Sequence, residues 1–205
     1  MKLKFIAAAA LMAASLSSQA AVTTTSLAGE ANATVIGFEG FDGLVNTTGS
    51  VDLGQGVTFS GATDAELAPA VRDLGDNGLW TFGLNGFAAS GADGVLTFSF
   101  SHLMSGVTAF ISHSAGETVL VEALGVGGSV LESTTVSFAS SLGWESYDEG
   151  TTIGFVRNGL DIQALRITGV GAVADTVSAV PEPESYAMLL AGLAAIGAAV
   201  RRRKA

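Results

Sequence analysis

Apolar and polar residues alternate along most of the middle of this chain. In GVLTFSF (Gly94–Phe100), Leu96, Phe98 and Phe100 fall on one side and Thr97 and Ser99 on the other. A period of two belongs to a strand with one face buried. The same pattern predicts strands at Ala33–Glu39, Val57–Ser60, Leu79–Gly83, Val107–Ser112, Glu117–Leu124, Ser129–Phe138, Thr152–Val156, Asp161–Thr168 and Ala172–Ser178. GVGG (Gly125–Gly128) reads as a hairpin turn between two of them. The longer loops fall at Asp42–Gly54, Gly61–Gly78, Leu84–Asp93 and Ala139–Gly150. About ten short strands at this spacing, with no convincing helix between them, imply an all-β protein: an antiparallel β-sandwich of jelly-roll type. No tandem repeat or internal linker interrupts residues 21–179, which are expected to form one domain.

Both ends break the alternation. The start, MKLKFIAAAALMAASLSSQAAV, sets Lys2 and Lys4 before an apolar stretch from Phe5 to Leu16, then Ser18-Gln19-Ala20. A charged head, a short apolar core and a small-x-small site form a secretory signal peptide, here residues 1–20 in a helix, with cleavage after Ala20. Its core is too short for a permanent membrane anchor. The end, residues 180–205, is VPEPESYAMLLAGLAAIGAAVRRRKA. Its apolar run from Tyr186 to Val200 has 15 residues, fewer than the roughly 20 a relaxed span needs. A short transmembrane helix is expected there, and Arg201, Arg202, Arg203 and Lys204 would hold its end in the cytoplasm. Pro181 and Pro183 keep the preceding segment extended and accessible. An ordinary tail anchor shares this outline, apart from the short span.

Pro181-Glu182-Pro183, the apolar segment containing Gly192, and the cluster from Arg201 to Lys204 resemble the PEP-CTERM sorting signal of Gram-negative bacteria. The resemblance covers the last 26 residues. It implies passage through the inner membrane, recognition by exosortase (a membrane transpeptidase), removal of the anchor, and delivery to the cell surface or an exopolysaccharide-rich matrix. On that resemblance the sorting residues are Pro181, Glu182, Pro183, Arg201, Arg202 and Arg203. The body, from GFEGF through LTFSFSHLMSGVTAFIS to LDIQALRITGVG, is similar in outline to the sandwich common in PEP-CTERM proteins and to jelly-roll carbohydrate-binding modules.

Charge narrows the partners. Between Ala21 and Val180, 17 acidic residues stand against Arg72, Arg157 and Arg166, a formal charge of −14. Such a body is repelled by phosphate backbones, so nucleic acid is not an expected partner. A divalent cation or a basic surface is. The chain has no cysteine, which excludes disulfides, thiolate zinc sites and a cysteine nucleophile.

Catalytic motifs are not found. His102 and His113 lie near strand ends without HExxH spacing and read as surface histidines. No G-x-S-x-G occurs, although a triad assembled from distant residues leaves no such mark. The body has no lysine for a phosphate loop. Glu145, Asp148 and Glu149 form one more acidic cluster in a chain full of them. An enzyme is therefore not expected.

Two binding sites are candidates. Calcium takes carboxylate and carbonyl oxygens. DLGDNG (Asp73–Gly78) is an oxygen-rich turn, although turn chemistry alone explains it. The resemblance to jelly-roll modules implies a structural calcium between first and last strands, where Glu39, Asp42 and Asp175 stand. For a glycan, Trp144 and Tyr147 in the polar WESYDEG loop offer aromatic faces beside carboxylates; a cap over the sandwich end explains Trp144 equally well. Trp80 and Phe82 share a strand face and are expected in the core. N-terminal sequencing of the exported protein is expected to begin at Ala21; a product that begins at Met1 would contradict the signal reading.

Overall fold

The structure is a computed structural model that describes residues 21–38, 45–47, 50–61, 65–68, 87–89, 94–139 and 150–181. Within them the chain forms β1 (Ala21–Thr23), β2 (Thr34–Ile36), β3 (Val45–Thr47), β4 (Ser50–Gly54), β5 (Val57–Gly61), β6 (Ala65–Ala68) and β7 (Phe87–Ala89). Next come β8 (Val95–Met104), β9 (Gly106–Ser112), β10 (Thr118–Leu124), β11 (Val130–Ser137), β12 (Thr151–Val156), β13 (Ile162–Thr168) and β14 (Val173–Val180). One sheet runs β11-β10-β13-β8-β5-β4. The other runs β1-β12-β9-β14-β7-β6-β3, with β2 also paired to β14. All these pairings are antiparallel. The all-β sandwich expected from the alternation is therefore the observed architecture.

Alternation explains how the sheets face each other. Leu96, Phe98 and Phe100 of β8 are buried, while Thr97 and Ser99 between them are half-buried on the other face. Val57 and Phe59 of β5, Val119, Val121 and Ala123 of β10, and Leu165 and Ile167 of β13 join the same core. From the larger sheet come Val107, Ala109, Ile111, Ile153, Phe155 and Val177. Phe98 sits between Phe38 and Phe59, with ring centroids 5.9 and 5.5 Å apart in tilted arrangements. Tilted pairs let a ring edge meet a ring face and add to the burial each ring gains. The expected hairpin at GVGG is a short 3-10 turn, Val126–Gly128. Gly127 and Gly128 have φ of 74° and 79°, a region in which a Cβ is strained.

Five strands lie outside the expected set. β3, β4, β6 and β7 occupy stretches whose Gly, Asn and Thr content reads as loop, and β1 comes directly after the signal region. They have three to five residues each. A window that short holds one to three apolar positions, too few for a period to show, and pairing with a neighbour supplies what propensity does not. The expected strand at Leu79–Gly83, with Trp80 and Phe82, lies outside the described residues.

The strand β9 is unusual in having all seven residues buried. Its inward side, Val107, Ala109 and Ile111, faces the core. Its other side is covered by the N-terminal segment. β1 pairs with β12 and β2 pairs with β14, so the residues between them pass over β9. There the Leu27 amide donates to Thr108 Oγ1 at 3.2 Å, and the Leu27 side chain lies over Gly106.

Arg157, directly after β12, ties the two sheets. Its Nε and Nη2 donate to Asp161 Oδ1 and Oδ2 at 2.8 and 2.9 Å. Its Nη1 donates to Glu132 Oε1 on β11 of the opposite sheet. The hydrogen bonds from Asp161 raise the affinity of Arg157 for its proton above an already high ordinary value, against the opposing effect of burial. A raised value means that Arg157 keeps its charge at every pH short of strong alkali, so the arginine side of the pair is lost only there. The Arg157 side chain is 7% exposed and that of Asp161 36%, so screening reduces the cost of losing the pair below that of a fully buried one. Arg157→Ala is expected to cost about 2–3 kcal/mol and to lower the melting temperature by roughly 4–10 °C. Arg157→Lys is expected to rescue little, because an ammonium cannot make the two-pronged contact; thermal denaturation of the three proteins checks this.

Candidate functional site

The distinctive geometry lies where the last strand leaves the sandwich. β14 is an interior strand, paired with β9 on one side and with β2 and β7 on the other. Its ladder with β9 ends at Val180 opposite Gly106. Pro181 has no N–H and cannot continue that ladder. A proline there also holds Val180 extended.

The corner between β8 and β9 grips this exit. The Ser105 amide donates to Val180 O at 2.9 Å. Its hydroxyl lies 2.8 Å from Pro181 O and 3.3 Å from Val180 O. Ser105 O in turn accepts from the Arg157 amide at 2.7 Å. A continuous chain of polar contacts therefore runs from Pro181 through Ser105 to Arg157 and its two carboxylates. Gly106 completes the corner by close approach: a Cβ there would stand 2.9 Å from both Leu27 Cδ1 and Val180 Cγ2. The arrangement fixes the backbone up to Pro181, at one end of the sandwich.

Of the expected sorting residues, Pro181 is described; Glu182, Pro183, Arg201, Arg202 and Arg203 lie outside the described residues, as does the apolar run. Among the described residues no helix is long and apolar enough to cross a membrane. Asp175 lies in β14 beside an irregularity in the ladder and is 1% exposed. Its Oδ1 accepts from the Thr176 amide at 2.6 Å and stands 3.3 Å from Thr176 Oγ1. Thr176 has φ of 45°, the left-handed region. Glu39 and Asp42, the other two expected calcium ligands, lie outside the described residues, as do Asp73–Gly78. Among the described residues no group of three His, Asp or Glu could hold a metal. Trp144, Tyr147, Glu145, Asp148 and Glu149 are also outside.

The two histidines differ. His102 is exposed on β8, as expected. His113 is 4% exposed, contrary to the expectation of a surface histidine. It comes directly after the fully buried β9 and packs against Phe138, with ring centroids 6.1 Å apart. A serine flanks it on either side, which is why the pattern suggests a turn.

A second feature is a depression of about 260 Å³ on the outer face of the smaller sheet. Thr97, Ser99, Gln163 and Ala164 line it, beside Leu124 and Gly125 at the β10–β11 hairpin. Near it on the same face, Arg166 donates from Nε to Glu122 Oε2 at 2.7 Å, between directly opposed residues of β13 and β10. That hydrogen bond raises the proton affinity of Arg166. Both arginines among the described residues are thus held by carboxylates of the same chain. Sequence reasoning did not identify the Ser105–Gly106 corner, which has no local signal. For Arg157 a signal exists: it is one of three basic residues in an acidic body, with Asp161 four residues on.

Residues 179–204 match the PEP-CTERM protein-sorting motif. The match begins inside β14, and Pro181 at the corner is its first proline. It marks an exported protein that carries a signal for processing by exosortase. No curated protein matches the sequence. Solved structures similar to this chain include CsCBM6-3 from Clostridium stercorarium in complex with cellobiose, at 12% identity and TM-score 0.34, covering 73% of this chain and 94% of that one. A mutant of CBM29-2, a family 29 carbohydrate-binding module, matches at 15% identity and TM-score 0.38, over 74% and 94%. The enzymatically active domain of bacteriophage CBA120 tailspike protein 4 matches at 12% and 0.27, over 72% and 19%. Likeness at this level is one of outline and assigns no ligand.

Gly106→Val is expected to push Val180 and Leu27 from the corner, cost about 1–3 kcal/mol and speed hydrogen exchange at the Ser105 amide. Gly29→Val, at a position with no atom within 4 Å of a Cβ, is expected to leave that amide protected.

Proposed function

We propose that this chain is an exported, non-enzymatic protein of the cell surface or extracellular matrix, sorted through its C-terminal signal and associated with exopolysaccharide. The observation that carries this reading is the match at residues 179–204 to a sorting motif, set where β14 leaves a closed sandwich. The anchor is the apolar run from Tyr186. Four residues separate it from Pro181, so before processing the sandwich end stands within about 18 Å of the bilayer. An exosortase-type transpeptidase then reads Pro181, Glu182 and Pro183 at the outer membrane face, and Arg201, Arg202 and Arg203 hold the other end inside. Release puts a strongly anionic body outside the inner membrane. A divalent cation bridges such a body to anionic polymer, and Glu39, Asp42 and Asp175 are the proposed internal calcium ligands.

The depression beside Thr97, Ser99 and Gln163 favours a second reading, a carbohydrate-binding protein. Hydroxyl and amide groups over a small apolar floor suit a sugar ring, and Trp144 and Tyr147 are the proposed aromatic contacts. The two readings separate on a glycan array: loss of a defined sugar signal on Trp144→Ala selects the second, and no sugar signal from the unaltered protein selects the first.

Intact mass of the protein from its native host tests the sorting claim. The exported product is expected to lack the arginine cluster when the transpeptidase is present and to retain it, membrane-bound, when the transpeptidase is deleted. An identical full-length product in both strains would refute the claim.

A further inference from the structure

The smaller sheet ends on β11, and among the described residues β11 pairs with β10 alone. Its backbone groups divide by alternation. The Phe138 amide donates to Glu117 O at 3.0 Å and Phe138 O accepts from the Gly116 amide, so Phe138 turns both groups toward β10. Two and four residues back, Val136 and Thr134 do the same. Ser133, Thr135 and Ser137 then direct their N–H and C=O groups to the open edge. All three are exposed.

Native sheets blunt such an edge with charge, proline, a bulge or shortness. The other sheet termini have these features: β1 and β3 have three residues each, and β4 has an exposed Asp52 beside an irregular register. β11 has eight residues, and its pairing is regular from Glu132 to Ser137. Its one charged residue, Glu132, is drawn inward to Arg157 of the other sheet. The stretch Ser133–Ser137, STTVS, therefore shows no charge in a body of formal charge −14.

From the open backbone groups and this withdrawn charge, we propose that β11 is a self-association edge. Two copies pair their β11 strands antiparallel about a two-fold axis and join the two smaller sheets into one. The register is set by which groups are free. Thr135 of one copy lies opposite Thr135 of the other, and Ser133 opposite Ser137. All of these are pairs in which each residue exchanges both backbone bonds. On the outer face, Leu120, which is 36% exposed and lies opposite Thr135 within the chain, extends the row of side chains. On the inner face, Thr134 of one copy covers half-buried Val136 of the other, which packs on the core. A two-fold contact of this kind is self-complementary and closes, so it makes dimers and not fibres. The rest of the body resists it by charge repulsion, so salt strengthens the dimer.

Sedimentation of the full chain in detergent tests this. A monomer–dimer equilibrium that tightens with added salt is expected. Thr135→Pro removes an N–H that only the partner strand uses; it is expected to weaken the dimer about tenfold or more while leaving the melting temperature within a few degrees. Because the chain has no cysteine, Thr135→Cys reports the register: the two thiols fall within disulfide reach across the axis. Oxidation is expected to trap a dimer at Thr135→Cys and not at Ser50→Cys on the opposite edge. A monomer at every salt concentration would overturn the proposal. So would a dimer indifferent to Thr135→Pro, or equal trapping at both positions.

Discussion

The burial of β9 on both faces is the constraint on which the rest depends. A strand covered on one side needs only a sheet opposite it. A strand covered on both also needs chain brought across its back, and the N-terminal segment supplies that through Leu27 over Gly106 and Thr108. This requirement places β1 against β12 and β2 against β14, and makes the last strand an interior one. It also explains why a glycine stands at the start of β9: the side chains that cover it come from both ends of the domain. The corner at Ser105 is therefore a meeting point of first, middle and last segments. Arg157 carries the same contact chain to the opposite sheet through Glu132.

This layout separates the body from the sorting signal. The hydrogen bonds that define the sandwich run up to Val180 and Pro181. The rest of the matched motif lies beyond them. The proline that stops the ladder is also the first proline of the matched motif, whose first two residues still belong to β14. Charge is divided in the same way. Within the body, Arg157 and Arg166 are held by carboxylates of the same chain. The chain's other basic residues, Arg72 apart, lie at its two ends, Lys2 and Lys4 before the body and the cluster from Arg201 to Lys204 after it.

Much of the fold was legible where alternation ran long enough. β8, β10, β11 and β13 have seven to ten residues with a clear apolar side, and each lies within a residue or two of its expected start. β1 and β4 were not, since β1 has three residues and β4 sits among Gly, Asn and Asp that read as loop, and their place comes from a neighbour's open edge. Sheet order was not legible at all, because it depends on which distant strands bury the same surface. The sorting signal could be read because it is linear: its parts act in order along the chain. The corner that presents it could not, since Ser105 looks like any serine until Val180 is brought to it. His113 shows the same limit: a serine on either side suggests a turn, and only the packing of Phe138 reveals that it is buried.

That the terminal strand is interior has a consequence for when the domain can form. Ala21 is opposite Val156, and Val35 is opposite Ser178. Such pairings join the extremes of the chain and carry a heavy loop-closure cost, so they form late and slowly. Until Val180 has emerged, β9 has β12 on one side but lacks β14 on the other, and the larger sheet stands in two parts, β1-β12-β9 and β7-β6-β3. A polypeptide emerging N-terminus first through a narrow channel would thus keep its larger sheet divided, and would gain its full cooperative structure only once the final strand arrived on the far side.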